Sequence, residues 1–226
     1  VRLPQARGWA GYRLWSVVAV AAVTVLVALA WFTPLLSVRT VRIEGLAAVP
    51  EAEVRTRLEI PDGRSMLRID TDAIARRVAA IPKVRSVRVQ RVFPSTVRVT
   101  VAERTAVLYF DSPQGTHLVD GDGVEFAIEP APLGVPKLLT ERPGGADPVT
   151  RAAVSVLTAL PPALSVQVDQ VVARTVSDVS LELRDGRKVL WGGTADGERK
   201  AAVVLPLLTR EGTVFDVSSP NLVTVK

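Results

Sequence analysis

The hydrophobic pattern of this chain opens with one long apolar stretch and then changes period. From Leu14 to Phe32 no residue is charged, and no polar face appears at helical spacing. At 1.5 Å per residue this run measures roughly 28 Å, close to the hydrocarbon thickness of a bilayer, which predicts a transmembrane helix over residues 14–33. Tyr12 and Trp15 stand at one margin and Trp31 and Phe32 at the other, where amphipathic rings favour the headgroup level. Arg2, Arg7 and Arg13 precede the run without an acid, whereas Arg39 and Arg42 beyond it are soon mixed with Glu44, Glu51 and Glu53. That bias predicts a cytoplasmic tail at residues 1–13 and a body outside the cytoplasm. Ala28-Leu29-Ala30 leaves open a cleavable secretory signal, although the apolar run outlasts an ordinary signal core. Either reading places the body outside.

From Val38 the period drops toward two. Val41 and Ile43 alternate with Thr40 and Arg42 in a short half-buried strand closed by Gly45. Pro50, Glu51 and Glu53 suit the start of a helix whose stripe is Val54 and Leu58, and Pro61-Asp62-Gly63 stops it. Asp70 opens a second helix with Ile74, Val78 and Ile81 on one face, ended by Pro82. Two strands follow: Val87 and Val89, then Val97, Val99 and Val101, alternate with polar residues around Phe93-Pro94-Ser95. A strand, two helices and a hairpin predict an α+β layer over residues 38–106, with both helices on one face of a three-stranded sheet.

Residues 107–226 are richer in strands and predict a mainly antiparallel β domain with flanking helices. Val107 to Phe110 and Thr116 to Val119 read as paired strands, with Asp120 to Gly123 turning the chain into Val124-Glu125-Phe126. Pro130 to Pro148 reads as a connection. Asp147 caps a helix ended by Pro161-Pro162; strands at Val166 to Ala173 and Val179 to Leu183 return through Asp185-Gly186 to Trp191. A last helix, from Gly197 to Thr209 with Pro206 inside it, leads to strands at Val214 to Val217 and Leu222 to Val225.

Composition narrows the chemistry. There is no cysteine, so disulfides and thiolate metal sites are excluded, and the net charge of +5 is spread among acids rather than gathered into a nucleic-acid stripe. Asp120 and Asp122 suggest a calcium loop, but Val124 and Ala131 stand where such a loop requires ligands. His117 is the sole histidine, so any Ser-His-Asp relay is built on it, and no cysteine nucleophile, H-E-x-x-H, G-x-S-x-G or phosphate loop occurs. These residues predict no enzyme, no metal and no cofactor.

Val41-Arg42-Ile43-Glu44-Gly45-Leu46, Ile81-Pro82-Lys83-Val84-Arg85-Ser86-Val87-Arg88-Val89, and the run from Arg91-Val92-Phe93-Pro94 to Glu103-Arg104 together resemble a POTRA domain. It is the type that follows the membrane anchor of the FtsQ/DivIB bacterial division proteins. Leu118-Val119-Asp120-x-x-Gly123, Asp185-Gly186-Arg187, Gly193 before Glu198-Arg199-Lys200, and Phe215-Asp216-Val217-Ser218-Ser219-Pro220 resemble the β domain of the same family, in its actinobacterial form. The resemblance implies a single-pass membrane protein of the division septum, a scaffold that binds FtsB and FtsL and links cytoplasmic assembly to septal peptidoglycan synthesis. It further implies that a strand from FtsB pairs along Leu222, Val223, Thr224 and Val225, flanked by Ser218, Ser219 and Asn221, with Lys200 as a further contact. Proteobacterial members tend to carry an Arg-Tyr pair where Ser218 and Ser219 stand, so the resemblance does not extend to the side-chain contacts there. A POTRA-bearing translocation or surface-assembly module is the alternative, and a secreted hydrolase is third.

Overall fold

The computed structural model describes residues 15–25, 36–61 and 63–226. Residues 15–25 are helical (α1) and exposed. The predicted span at 14–33 lies partly outside the described residues, and among those described no helix is long and apolar enough to cross a membrane. The chain divides into two compact units at Glu103 and Arg104.

The first unit contains the expected three-stranded sheet with two helices. Strands β1 (Thr40–Glu44), β2 (Val84–Val92) and β3 (Thr96–Glu103) lie in the order β1-β3-β2, with β1 parallel and β2 antiparallel to β3. The inward residues of β3, Val97, Val99 and Val101, are buried with Val54 and Leu58 of α2 (Glu51–Leu58) and Ile74 and Val78 of α3 (Thr71–Ala79). Each such side chain contributes roughly 1.5–3 kcal/mol through burial. Asp70 caps α3 by accepting N–H bonds from Asp72 and Ala73. A 3₁₀ turn at Met66–Arg68 sets the fully buried Met66 under the sheet, an anchor with no periodic signal.

Glu103 does more than end β3. Its carboxylate accepts backbone N–H bonds from Ala47, Ala48 and Val49 at 2.8, 2.8 and 3.0 Å, fixing the loop between β1 and α2. Burial pushes its pKa up, but the three donors outweigh burial and hold it below the ordinary 4.5. Gly45 begins that loop with φ of 88°, and a Cβ there would meet the Val101 carbonyl at 2.1 Å, so only glycine fits.

The second unit is a nine-stranded sheet in the order β12-β11-β10-β9-β8-β7-β4-β5-β6. Its strands are β4 (Ala106–Ser112), β5 (Gly115–Asp120), β6 (Glu125–Ile128), β7 (Lys137–Leu139), β8 (Val168–Thr175), β9 (Asp178–Leu183), β10 (Lys188–Gly192), β11 (Val214–Asp216) and β12 (Thr224–Val225). The segment read as a Pro/Gly connection contributes β7, which pairs in parallel with both β4 and β8 and makes the sheet continuous. A third parallel pairing, β10 with β11, makes the sheet mixed, although the remaining pairings are antiparallel. Helices α4 (Pro148–Ala159), α5 (Pro162–Ser165) and α6 (Gly197–Leu207) supply Ala153, Val156, Leu157, Leu164, Val204 and Leu207 to a core that also holds Trp191 and Phe215, both fully buried. The opposite face is polar. Across neighbouring strands the register sets Tyr109, Lys137, Gln170, Glu182 and Lys188 in one row, with ion pairs Lys137–Asp111 and Lys188–Glu182 at 2.8 and 3.1 Å.

Candidate functional site

At one end of the nine-stranded sheet the chain builds an edge from its last residues. Lys188 N–H donates to the Thr213 carbonyl as β11 sets out beside β10. Asp216 ends β11 by accepting the Ser218 N–H at 2.9 Å and the Ser218 hydroxyl at 2.6 Å, and Leu222 N–H donates to the Ser219 carbonyl at 2.9 Å. This compact turn returns the chain antiparallel as β12. Val214 and Lys226 each donate to the other's carbonyl at 2.9 Å, and two residues along the ladder Asp216 stands opposite Thr224. By the alternation of antiparallel pairing, Thr224 and Lys226 turn their main-chain groups toward β11, whereas Val223 and Val225 turn theirs away from the sheet. Both valine side chains pack partly on the core, and Leu222 is 76 % exposed. The edge is apolar, regular and short.

The residues named from the sequence fall at different distances from this edge. Leu222 and Val223 lead into β12, and Thr224 and Val225 form it. Ser219 and Asn221 are exposed in the adjoining turn, and the Ser218 hydroxyl is engaged by Asp216. Lys200, in the first turn of α6, is buried. Its Nζ donates to the Gly193 carbonyl at 2.8 Å and lies 5.9 Å from the centre of the Trp191 ring. Burial lowers the Lys200 pKa, against the opposing pull of Asp196. The ammonium therefore fastens α6 to the loop after β10.

The other end of the sheet carries a cluster that spacing alone does not reveal. His117 of β5 makes a 2.5 Å contact from Nδ1 to Glu125 of β6 and a 2.7 Å contact from Nε2 to the Ser112 hydroxyl of β4, with its ring stacked on Phe110 at 4.8 Å. Carboxylate, imidazole and hydroxyl follow one another in the order of a nucleophilic serine relay. Here the hydroxyl belongs to a hairpin turn, where it also meets the Gln114 amide oxygen at 2.7 Å and the Gln114 N–H at 3.0 Å. The cluster ties three strands together. Asp120 is likewise structural: buried, it pairs with Arg104 and accepts the N–H groups of Asp122 and Val124. Among the described residues no group of three His, Asp or Glu side chains is placed to hold a metal ion.

Comparison with known proteins accounts for both units. Residues 36–104 match the model of the FtsQ-type POTRA domain, and residues 108–218 match that of the C-terminal region of cell division protein FtsQ/DivIB. The FtsQ of Streptomyces collinus is 36 % identical, with 96 % of this chain and 90 % of that protein covered. The chain belongs to the FtsQ/DivIB family of cell division proteins. The FtsQ of Mycolicibacterium smegmatis is 45 % identical over 94 % of this chain, and that of Mycobacterium tuberculosis 45 % over 87 %. The chain spans slightly less than two thirds of these mycobacterial relatives, 64 % and 62 % of their lengths.

Proposed function

We propose that this chain is a non-enzymatic scaffold of the divisome, held in the cell membrane by the apolar run at 14–33 with its N-terminus cytoplasmic and both compact units outside. It gathers at the division septum, binds FtsB together with FtsL, and links cytoplasmic division assembly to septal peptidoglycan synthesis. The observation that carries the binding reading is the edge strand β12, whose outer main-chain groups at Val223 and Val225 face away from β11. An extended segment of FtsB added there would gain main-chain hydrogen bonds, with exposed Leu222 offering an apolar side contact. Ser219 and Asn221 flank the added strand, Ser218 shapes the turn, and Lys200 anchors the start of α6 to the loop after β10.

The test is Val223→Pro. Proline removes an outward N–H and leaves the pairing of Thr224 and Lys226 with β11 in place. Co-purification of FtsB should be lost while the circular dichroism spectrum and melting temperature stay close to those of the parent. Unchanged co-purification would overturn the strand-addition reading. A fluorescent fusion that spreads evenly around the cell instead of collecting at mid-cell would overturn the septal role.

A further inference from the structure

Charge is divided unequally between the two units. Residues 38–103 hold 13 arginines and lysines against 8 acids, whereas residues 104–226 hold 12 against 15. Within the first unit three segments converge at the end of the sheet where the chain enters. Arg39 and Thr40 both donate N–H bonds to the Ser95 carbonyl at 2.9 and 3.2 Å, Val38 donates to the Arg64 carbonyl at 2.9 Å, and Ser37 bridges Ser65. The β2–β3 hairpin tip, the entry segment and the loop at 63–65 therefore share one end.

That end combines aromatic and cationic groups. Phe93, at the hairpin tip, is 55 % exposed, and Leu67 of the neighbouring 3₁₀ turn is 37 % exposed. Arg39, Arg64 and Arg91 belong to the same three segments, with Arg91 steadied by a bond to the Ile69 carbonyl. Two acids lie at this end too, beside Arg64: Asp70, its carboxylate engaged in capping α3, and Glu59, paired with Arg77 at 3.4 Å. By contrast Glu44 and Glu103 end β1 and β3 at the far end of the sheet.

We propose that this end of the first unit docks on an anionic bilayer surface, with Phe93 entering the headgroup region and the arginines pairing with lipid phosphates. The proposal rests on the reading of 14–33 as a membrane span. Ser37, already paired within the fold, follows the run's last residue, Phe32, by only five residues, a reach of at most about 17 Å. The end bearing Phe93 is thus the end tethered nearest the lipid. Aromatic rings favour the interface, and each arginine near an anionic surface contributes about a fivefold gain in binding.

The chain has no cysteine, so a single engineered one reports cleanly. The full chain carrying Val92→Cys and a nitroxide label is reconstituted into vesicles of phosphatidylcholine, or of equal parts phosphatidylcholine and phosphatidylglycerol. A second label at Val176→Cys, in an exposed turn of the second unit, is the reference. Label 92 should be shielded from an aqueous nickel chelate and open to oxygen only with phosphatidylglycerol, and label 176 should stay in water. Adding Phe93→Ser, or Arg39→Gln with Arg64→Gln, should return label 92 to water, each arginine shifting the docked fraction roughly fivefold. Protein that floats with the vesicles while label 92 remains as aqueous as label 176 overturns the proposal and leaves the span standing. Shielding indifferent to lipid charge and to both arginines points to a protein contact and also overturns it. Protein that fails to float overturns the span and this inference together.

Discussion

At β6 the outermost strand of the nine-stranded sheet is tied down by side chains, whereas at β12 it is held by main-chain pairing and two half-buried valines. The β6 edge begins at Glu125, is followed by Glu129, and its pairing with β5 shifts register between Leu118 and Val119. His117 clamps it through Glu125. Charge and an irregular ladder are the devices by which sheet edges resist adding strands. Between Leu222 and Val225 there is no charge, and the ladder with β11 runs without a shift. Both ends of the sheet are open in topology, but the β12 edge lacks the charge and the register shift that guard β6.

The widest gap between the edges should appear in paired proline substitutions. Glu129 N–H donates to the Thr116 carbonyl, so Ala127 turns its main-chain groups toward Leu118, and Phe126 and Ile128 turn theirs outward. Ile128→Pro on β6 is therefore the geometric twin of Val223→Pro on β12. We expect Val223→Pro to weaken FtsB capture by more than about tenfold and Ile128→Pro to leave it unchanged, as read by co-purification and titration. Equal losses would erase the distinction.

Carboxylate deletions come next in size. Glu125→Ala leaves a buried His117 nitrogen without its partner and should destabilise the second unit by about 1–2 kcal/mol in a denaturant titration, with FtsB capture unaltered. Asp216→Ala frees Ser218 and loosens the turn into β12, so it should lower stability by only about 1 kcal/mol yet weaken capture. A loss of capture with Glu125→Ala and none with Asp216→Ala would reverse the roles assigned to the two edges.

Much of this was readable from residue order, and the failures share a cause. Val97, Val99 and Val101 alternate so regularly that strand and buried face followed directly, and Asp70 and Asp147 announced their helices by capping chemistry. The three-residue β7 was illegible because so short a segment has no period; β4 and β8 on either side make it a strand. The role of Glu103 leaves no local trace, because its donors lie more than fifty positions earlier in the chain. The Ser112–His117–Glu125 clamp depends on three strands meeting, which no local spacing encodes. At β12 the resemblance supplied the residues, and the register supplied which main-chain groups face outward.

Lys200 gives the smallest effect and the finest test of how the β12 edge is supported. Its ammonium faces inward, so Lys200→Met should keep the packing over Trp191, change stability by less than about 1 kcal/mol, and leave FtsB capture within about threefold. The pH dependence separates this burial from simple exposure. Because burial holds the folded pKa below the ordinary 10.5, the unfolded chain binds more protons than the folded one between those two values, and stability contributed by this group rises with pH across that window. Below the folded pKa the buried charge exerts its full destabilising effect; above 10.5 the effect is gone. The difference in unfolding free energy between parent and Lys200→Met should therefore move in favour of the parent as pH rises toward 10.5, whereas a flat difference would mean that the ammonium is solvated and free to reach a partner at the edge.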